Sequence, residues 1–202
     1  MHDSPILSAL SAPADPIRRK ILLVGDTGCA IACLAGAWTS SKHSNPFPAA
    51  SVTPEVRKKA INIKGRQIDL DVWEIKPTHL LGRLLPHSPT TTHMLLICVA
   101  TNRPSQFRNT ALMWSAEARE HLPGVPTILV GCRKYPSPIK TKSEYERWMK
   151  LQNLALLSSR DGDSMAASID ALAYFEISSI ESQVSSDLFD FVGEYMLRHT
   201  TE

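Results

Sequence analysis

The cysteines are the first residues here whose type could support metal or redox chemistry, and they stand at Cys29, Cys33, Cys98 and Cys132. A structural zinc site draws its ligands from closely paired thiols or from thiols and histidines at set intervals. Cys29 and Cys33 form no Cys-x-x-Cys pair, and the next histidine is the distant His43. No metal is therefore expected, and the four are read as reduced, mostly buried thiols. The second chemical feature is a turn. Gly25-Asp26-Thr27-Gly28 follows the apolar run at 21–24 and leads into 29–38, which is rich in Ala, Leu and Cys. That order reads as a buried strand, a tight turn and a helix.

The rest of the chain supplies the elements that must position such a turn. Residues 60–63 and 67–73 flank Lys64-Gly65 and read as a hairpin, with Ile68, Leu70 and Val72 alternating. Continuous apolar strands are expected at 94–99 and 126–131, as in a parallel sheet covered on both faces. Helices are expected at 110–121, 143–157, 164–172 and 187–198, and a short strand at 174–177. The proline-broken stretches 40–54 and 76–92 read as loops, and residues 1–17 as a flexible tail. Strands alternating with helices after an early hairpin imply an α/β domain. Such folds bind ligands outside the carboxyl ends of their strands. The loops there begin at Gly25, Glu74, Cys132 and Ser178.

Bulk properties narrow the class further. The chain has 202 residues, enough for one domain with its own core. A net charge of +2 is too weak a balance to argue for nucleic acid. No apolar run approaches a membrane span, and the start lacks a secretory pattern. A cytoplasmic protein is expected.

The order of features resembles a small GTPase of the Rho family over residues 18–198. Ile21-Leu22-Leu23-Val24-Gly25-Asp26 resembles the first strand and the start of the P-loop. Asp71-Val72-Trp73 resembles the end of the third strand, and Val125-Pro126-Thr127-Ile128-Leu129-Val130-Gly131 the strand before the guanine-reading motif. Trp114 falls where Rho proteins commonly carry a Trp. Residues 138–157 resemble the extra helix that marks Rho proteins. Gly162-Asp163-Ser164-Met165-Ala166 and the run 171–176 resemble the helix and strand that close the domain. The resemblance implies a P-loop NTPase fold, with a mostly parallel six-stranded sheet, flanking helices and a Rho-type insert helix.

It also implies a nucleotide site, and there the residues depart from the pattern. A P-loop ends in Gly-Lys-[Ser/Thr], because the glycine admits the phosphates, the lysine neutralises them and the hydroxyl ligates Mg²⁺. In Gly25-Asp26-Thr27-Gly28-Cys29-Ala30-Ile31-Ala32-Cys33, those three places hold Ala30, Ile31 and Ala32. The helix N–H groups remain on offer to an anion. The Asp-x-x-Gly signature reads Glu74-Ile75-Lys76-Pro77. Pro77 has no N–H to give the γ-phosphate. Thr78, followed by His79, stands where the family places its water-orienting Gln. Asn-Lys-x-Asp reads Cys132-Arg133-Lys134-Tyr135, so Tyr135 replaces the carboxylate that reads guanine. Ser178-Ser179 matches the start of the Ser-Ala-Lys motif, and Thr53 is the nearest candidate for the first switch threonine.

These departures point to a Rho-like pseudoGTPase: a signalling and protein-interaction module without a catalytic residue. GTP binding and hydrolysis by the usual mechanism are lost or strongly impaired, Mg²⁺ binding is impaired, and no cofactor is required. The alternative is a divergent small GTPase that still binds GTP or GDP weakly, with or without Mg²⁺, and hydrolyses it slowly by a non-standard mechanism. Rho-type effectors or regulators are the expected partners, at a surface containing Arg57, Lys58 and Trp73. Nucleic acid is not. The chain ends Leu197-Arg198-His199-Thr200-Thr201-Glu202 and carries no Cys after Cys132, so residues 199–202 are read as a tail without a prenylation box and no direct membrane anchor is expected.

Overall fold

The computed structural model of the protein describes residues 16–25, 55–75, 91–133, 139, 141–152, 157–178 and 184–199. Six strands run as β1 (Ile17–Gly25), β2 (Glu55–Ile63), β3 (Arg66–Glu74), β4 (Met94–Ala100), β5 (Thr127–Arg133) and β6 (Tyr174–Ser178). Four helices are described: α1 (Pro104–His121), α2 (Lys142–Leu151), α3 (Ser159–Ser168) and α4 (Val184–Arg198). The strands form one sheet in the order β2-β3-β1-β4-β5-β6. β2 runs antiparallel to β3, and every other neighbouring pair is parallel. This is the mostly parallel sheet flanked by helices that the sequence led us to expect.

Both faces of the sheet are covered, which is why the central strands read as unbroken apolar runs. On one face, Leu188, Phe189, Val192 and Met196 of α4 pack on Ile21, Leu23, Ile68, Leu96 and Val130. On the other, Phe107, Ala111 and Trp114 of α1, with Met165 and Ala166 of α3, pack on Leu22, Val24, Leu95, Ile97 and Leu129. Alternate residues of each strand serve the two cores.

Several element boundaries differ from expectation, each for a local reason. β2 begins at Glu55 rather than residue 60, so Arg57-Lys58-Lys59 lies within the strand, in register with Val72, Asp71 and Leu70. The ladder with β3 holds those polar residues extended where periodicity is uninformative. α1 begins at Pro104 instead of residue 110. Proline's fixed φ suits the first helical turn. α3 starts at Ser159 and ends at Ser168, against an expected 164–172. Its start is a capping box: the Ser158 hydroxyl accepts from the Asp161 N–H, and the Asp161 carboxylate accepts from the Ser158 N–H. Asp161-Gly162-Asp163 therefore lies inside the helix. α2 spans Lys142–Leu151 and is capped by the same device at Thr141 and Glu144; the expected residues 153–156 fall outside the described residues. The hairpin turn is Lys64-Gly65 as expected, with φ of 52° and 81°, and the Asn62 side chain accepts from the Gly65 N–H.

Gly162 has a packing reason. A Cβ there would strike the ring of Tyr174, and one at Gly131 would strike its hydroxyl. Two glycines on different elements make a slot for one aromatic ring, which also meets Phe107 edge-on at 6.5 Å.

Candidate functional site

The parallel ladders bring the carboxyl ends of β1, β3, β4, β5 and β6 to one edge of the sheet. Leu23 pairs with Glu74, Gly25 with Cys98, Ala100 with Cys132, and Arg133 with Ser178. Four loop starts read from the sequence, at Gly25, Glu74, Cys132 and Ser178, are thus neighbours. The remaining candidates Asp26, Thr27, Gly28, Cys29, Ala30, Ile31, Ala32, Cys33, Thr53, Pro77, Thr78, His79, Tyr135 and Ser179 lie outside the described residues.

Gly25 holds the junction between β1 and the turn. Its φ is +151°, and a Cβ would run into the backbone carbonyl of Cys98 on β4. Only glycine lets the strands approach this closely. Glu74 ends β3, half-buried, and the next N–H, of Ile75, donates to the Leu23 carbonyl at 2.9 Å. Cys132 turns its side chain away from the edge into the α4-side core, where it is fully buried, as is Cys98, and neither forms a disulfide. Its carbonyl accepts from the Thr101 N–H at 3.1 Å, tying the β4 end to β5.

Arg133 belongs to β5 rather than to a loop, and its guanidinium Nη2 is ion-paired with Oε1 of Glu176 on β6. Glu176 carried no signal in the sequence, because it occupies an ordinary alternating position of a short strand. Burial of Tyr174 first, and then the Glu176 charge, hold the Tyr174 hydroxyl well above the ordinary tyrosine range. In the resemblance, Arg133 stands at the lysine of the guanine motif. A guanidinium already held by an internal carboxylate does not fit that contact.

The expected interaction surface divides across the hairpin. Lys58 pairs with Asp71 and Val56 with Trp73, placing Lys58 and Trp73 on one face. Arg57, paired with Val72, takes the opposite-facing position. Lys58 is exposed, beside Arg18, Ala60, Asp69 and Asp71. Trp73 is half-buried and packs on the α1-side core, so it serves the sheet as well as its rim.

Lys20, unremarked in the sequence, explains part of how Trp73 sits. It is 2% exposed, and its ammonium lies 4.2 Å from the centroid of the Trp73 ring. Burial lowers its pKa. The Lys20 N–H donates to Nδ1 of His93 at 3.0 Å, and the His93 N–H donates back to the Lys20 carbonyl at 2.9 Å. A protonated imidazole could not accept that bond. Burial first, and then the charge of Arg19, lower the His93 pKa. Between that lowered value and the unfolded value of about 6.5, the unfolded chain holds the extra proton. Stability conferred by neutral His93 is therefore present above about pH 6.5 and declines as pH falls through that window. Urea midpoints measured from neutral to mildly acidic pH should fall less steeply in His93→Gln than in the wild-type protein. Parallel curves would show that His93 titrates normally.

With this geometry in place, relatedness can be read. The Ras family model matches residues 20–198. The chain is 29% identical over 163 residues to "GTP-binding protein RHO1" of Saccharomyces cerevisiae, covering 81% of this chain and 76% of that protein. It is 27% identical over 189 residues to "GTP-binding protein RHO1" of Candida albicans, covering 94% and 92%. The sheet order, the strand-end site and these similarities agree: the chain belongs to the Ras family of small GTPases and is a Rho-type member of it.

Proposed function

We propose that this Rho-type protein works as a pseudoGTPase, a cytoplasmic protein-interaction module that holds one state without nucleotide turnover. The observation that carries the reading is the replacement of the phosphate-binding Gly-Lys-[Ser/Thr] by Ala30, Ile31 and Ala32. Tyr135 at the base-reading carboxylate, Pro77 at the γ-phosphate sensor and Thr78 at the water-orienting position extend the same loss. The pairing of Arg133 with Glu176 supports it at the base end.

A hydrogen bond to a charged group contributes roughly 1.5–3 kcal/mol. Without the lysine, the Mg²⁺ hydroxyl and the base carboxylate, affinity should fall by about 5–8 kcal/mol, on the order of four to six powers of ten. Partners are protein effectors or regulators of the Rho type, met at the β2–β3 hairpin face that carries Lys58 and Trp73.

Equilibrium titration of nucleotide-stripped protein with GTP, GDP and ATP, in Mg²⁺ and in EDTA, tests this. No saturation up to millimolar ligand is the expected result. Saturable binding, whether in Mg²⁺ or in EDTA, would overturn the reading and favour a divergent GTPase that retains its ligand.

A further inference from the structure

Arg133 and Glu176 stand two register positions apart on adjacent parallel strands: Gly131 pairs with Glu176, and Arg133 with Ser178. That spacing turns both side chains to the α1 and α3 face of the sheet. Their ion pair is mostly withdrawn from water, the side chains being 13% and 21% exposed. Neither the buried Nε of Arg133 nor Oε1 of Glu176 has a hydrogen-bond partner among the described residues, so their ion pair is what offsets the two charges. Tyr174, whose ring is seated against Gly131 and Gly162, holds the adjacent position on the same face of β6. Stripping one member from such a pair leaves an uncompensated charge in a poorly solvated place.

We propose that Glu176 is an anion supplied by the chain to its own ligand edge. Its carboxylate fills Arg133 in place of an external ligand and latches the carboxyl ends of β5 and β6 in one arrangement. Arg133 is thus a carboxylate-binding position occupied from within. The inference rests on the nucleotide-independent reading above and supplies a physical means for it.

Chemical rescue tests the latch. Wild type, Glu176→Ala and the double variant Arg133→Met/Glu176→Ala are melted in sodium formate and in sodium chloride of equal ionic strength, with no nucleotide present. Glu176→Ala should melt several degrees below wild type in chloride. Formate should recover half or more of that loss and slow hydrogen exchange at the amides of residues 131–133 and 176–178. Wild type should respond to neither salt differently. The double variant should melt above Glu176→Ala and ignore formate, because no guanidinium is left to satisfy. The proposal falls if Glu176→Ala melts with wild type, if the double variant is no more stable than the single, or if formate acts alike on all three. Should Glu176→Ala fail to fold, Glu176→Gln preserves the side-chain volume. Hydrogen exchange at the same amides should then be faster than in wild type, and unchanged exchange would sink the proposal. Saturable GDP binding by wild type would overturn the pseudoGTPase reading without bearing on this result.

Discussion

Gly25→Ala should lower the melting temperature by about 10 °C or more, on the scale of about 2–4 °C per kcal/mol for a chain of this size. Two costs combine. The backbone at Gly25 has a φ of +151°, a region that residues with a side chain rarely adopt. The added Cβ also meets the carbonyl of Cys98, which is backbone and cannot rotate away as a side-chain end would. Relief requires parting β1 from β4 at their carboxyl ends, where Gly25 and Cys98 are register partners in the middle of the sheet. Strain and lost core contact each cost on the order of 1–3 kcal/mol. The loss should be larger than for an alanine at the exposed Gly65, although that residue also has positive φ, because no atom stands near its missing Cβ. Equal melting temperatures for Gly25→Ala and wild type would mean that the strands do not meet this closely.

The second large effect is a gain. Ile31→Lys with Ala32→Thr should raise affinity for Mg²⁺–GDP by about two to four powers of ten, from two restored contacts of roughly 1.5–3 kcal/mol each. Binding too weak to saturate in wild type should become measurable by calorimetry, and EDTA should abolish much of the gain, since the threonine acts through the metal. No improvement would locate the obstacle elsewhere, at Pro77 and Tyr135, whose chemistry the double variant leaves unchanged. On the proposed reading, hydrolysis should stay negligible in either case, because Thr78 stands where the resemblance to Rho proteins places the water-orienting Gln.

How far the sequence alone could be read varies with the range of the forces involved. The strands at 94–100 and 127–133 were plain, because burial on both faces leaves no polar interruption in Met94–Ala100 or in Ile128–Cys132. The first half of β2 was not. Glu55 to Lys59 has the look of a polar loop and becomes strand only because β3 offers a complete ladder. The start of α3 was misplaced for a different reason. Asp161-Gly162-Asp163 has turn-forming composition, yet Asp161 serves Ser158 as a cap, and Gly162 is a helical residue chosen by the Tyr174 ring. In the candidate site, the motif positions were legible because they follow the chain: Gly25 at the end of β1, Glu74 at the end of β3, Cys132-Arg133 at the end of β5. Their side-chain roles were not. Cys132 faces the core, Arg57 and Lys58 belong to opposite faces, and Lys20 is buried under Trp73.

The sequence by itself therefore determined the α/β class and the Rho-type family, and it shows which residue types stand at the family's phosphate, metal and base positions, on which the pseudoGTPase proposal rests. Each of these is written in local runs and in the identity of single motif residues. Tertiary structure decided which charges are spent inside the fold. Arg133 meets Glu176 and the Lys20 ammonium meets the Trp73 ring only because separate strands are brought side by side. An ion pair or cation–π contact depends on a few ångströms across the sheet, a distance that no spacing along the chain encodes.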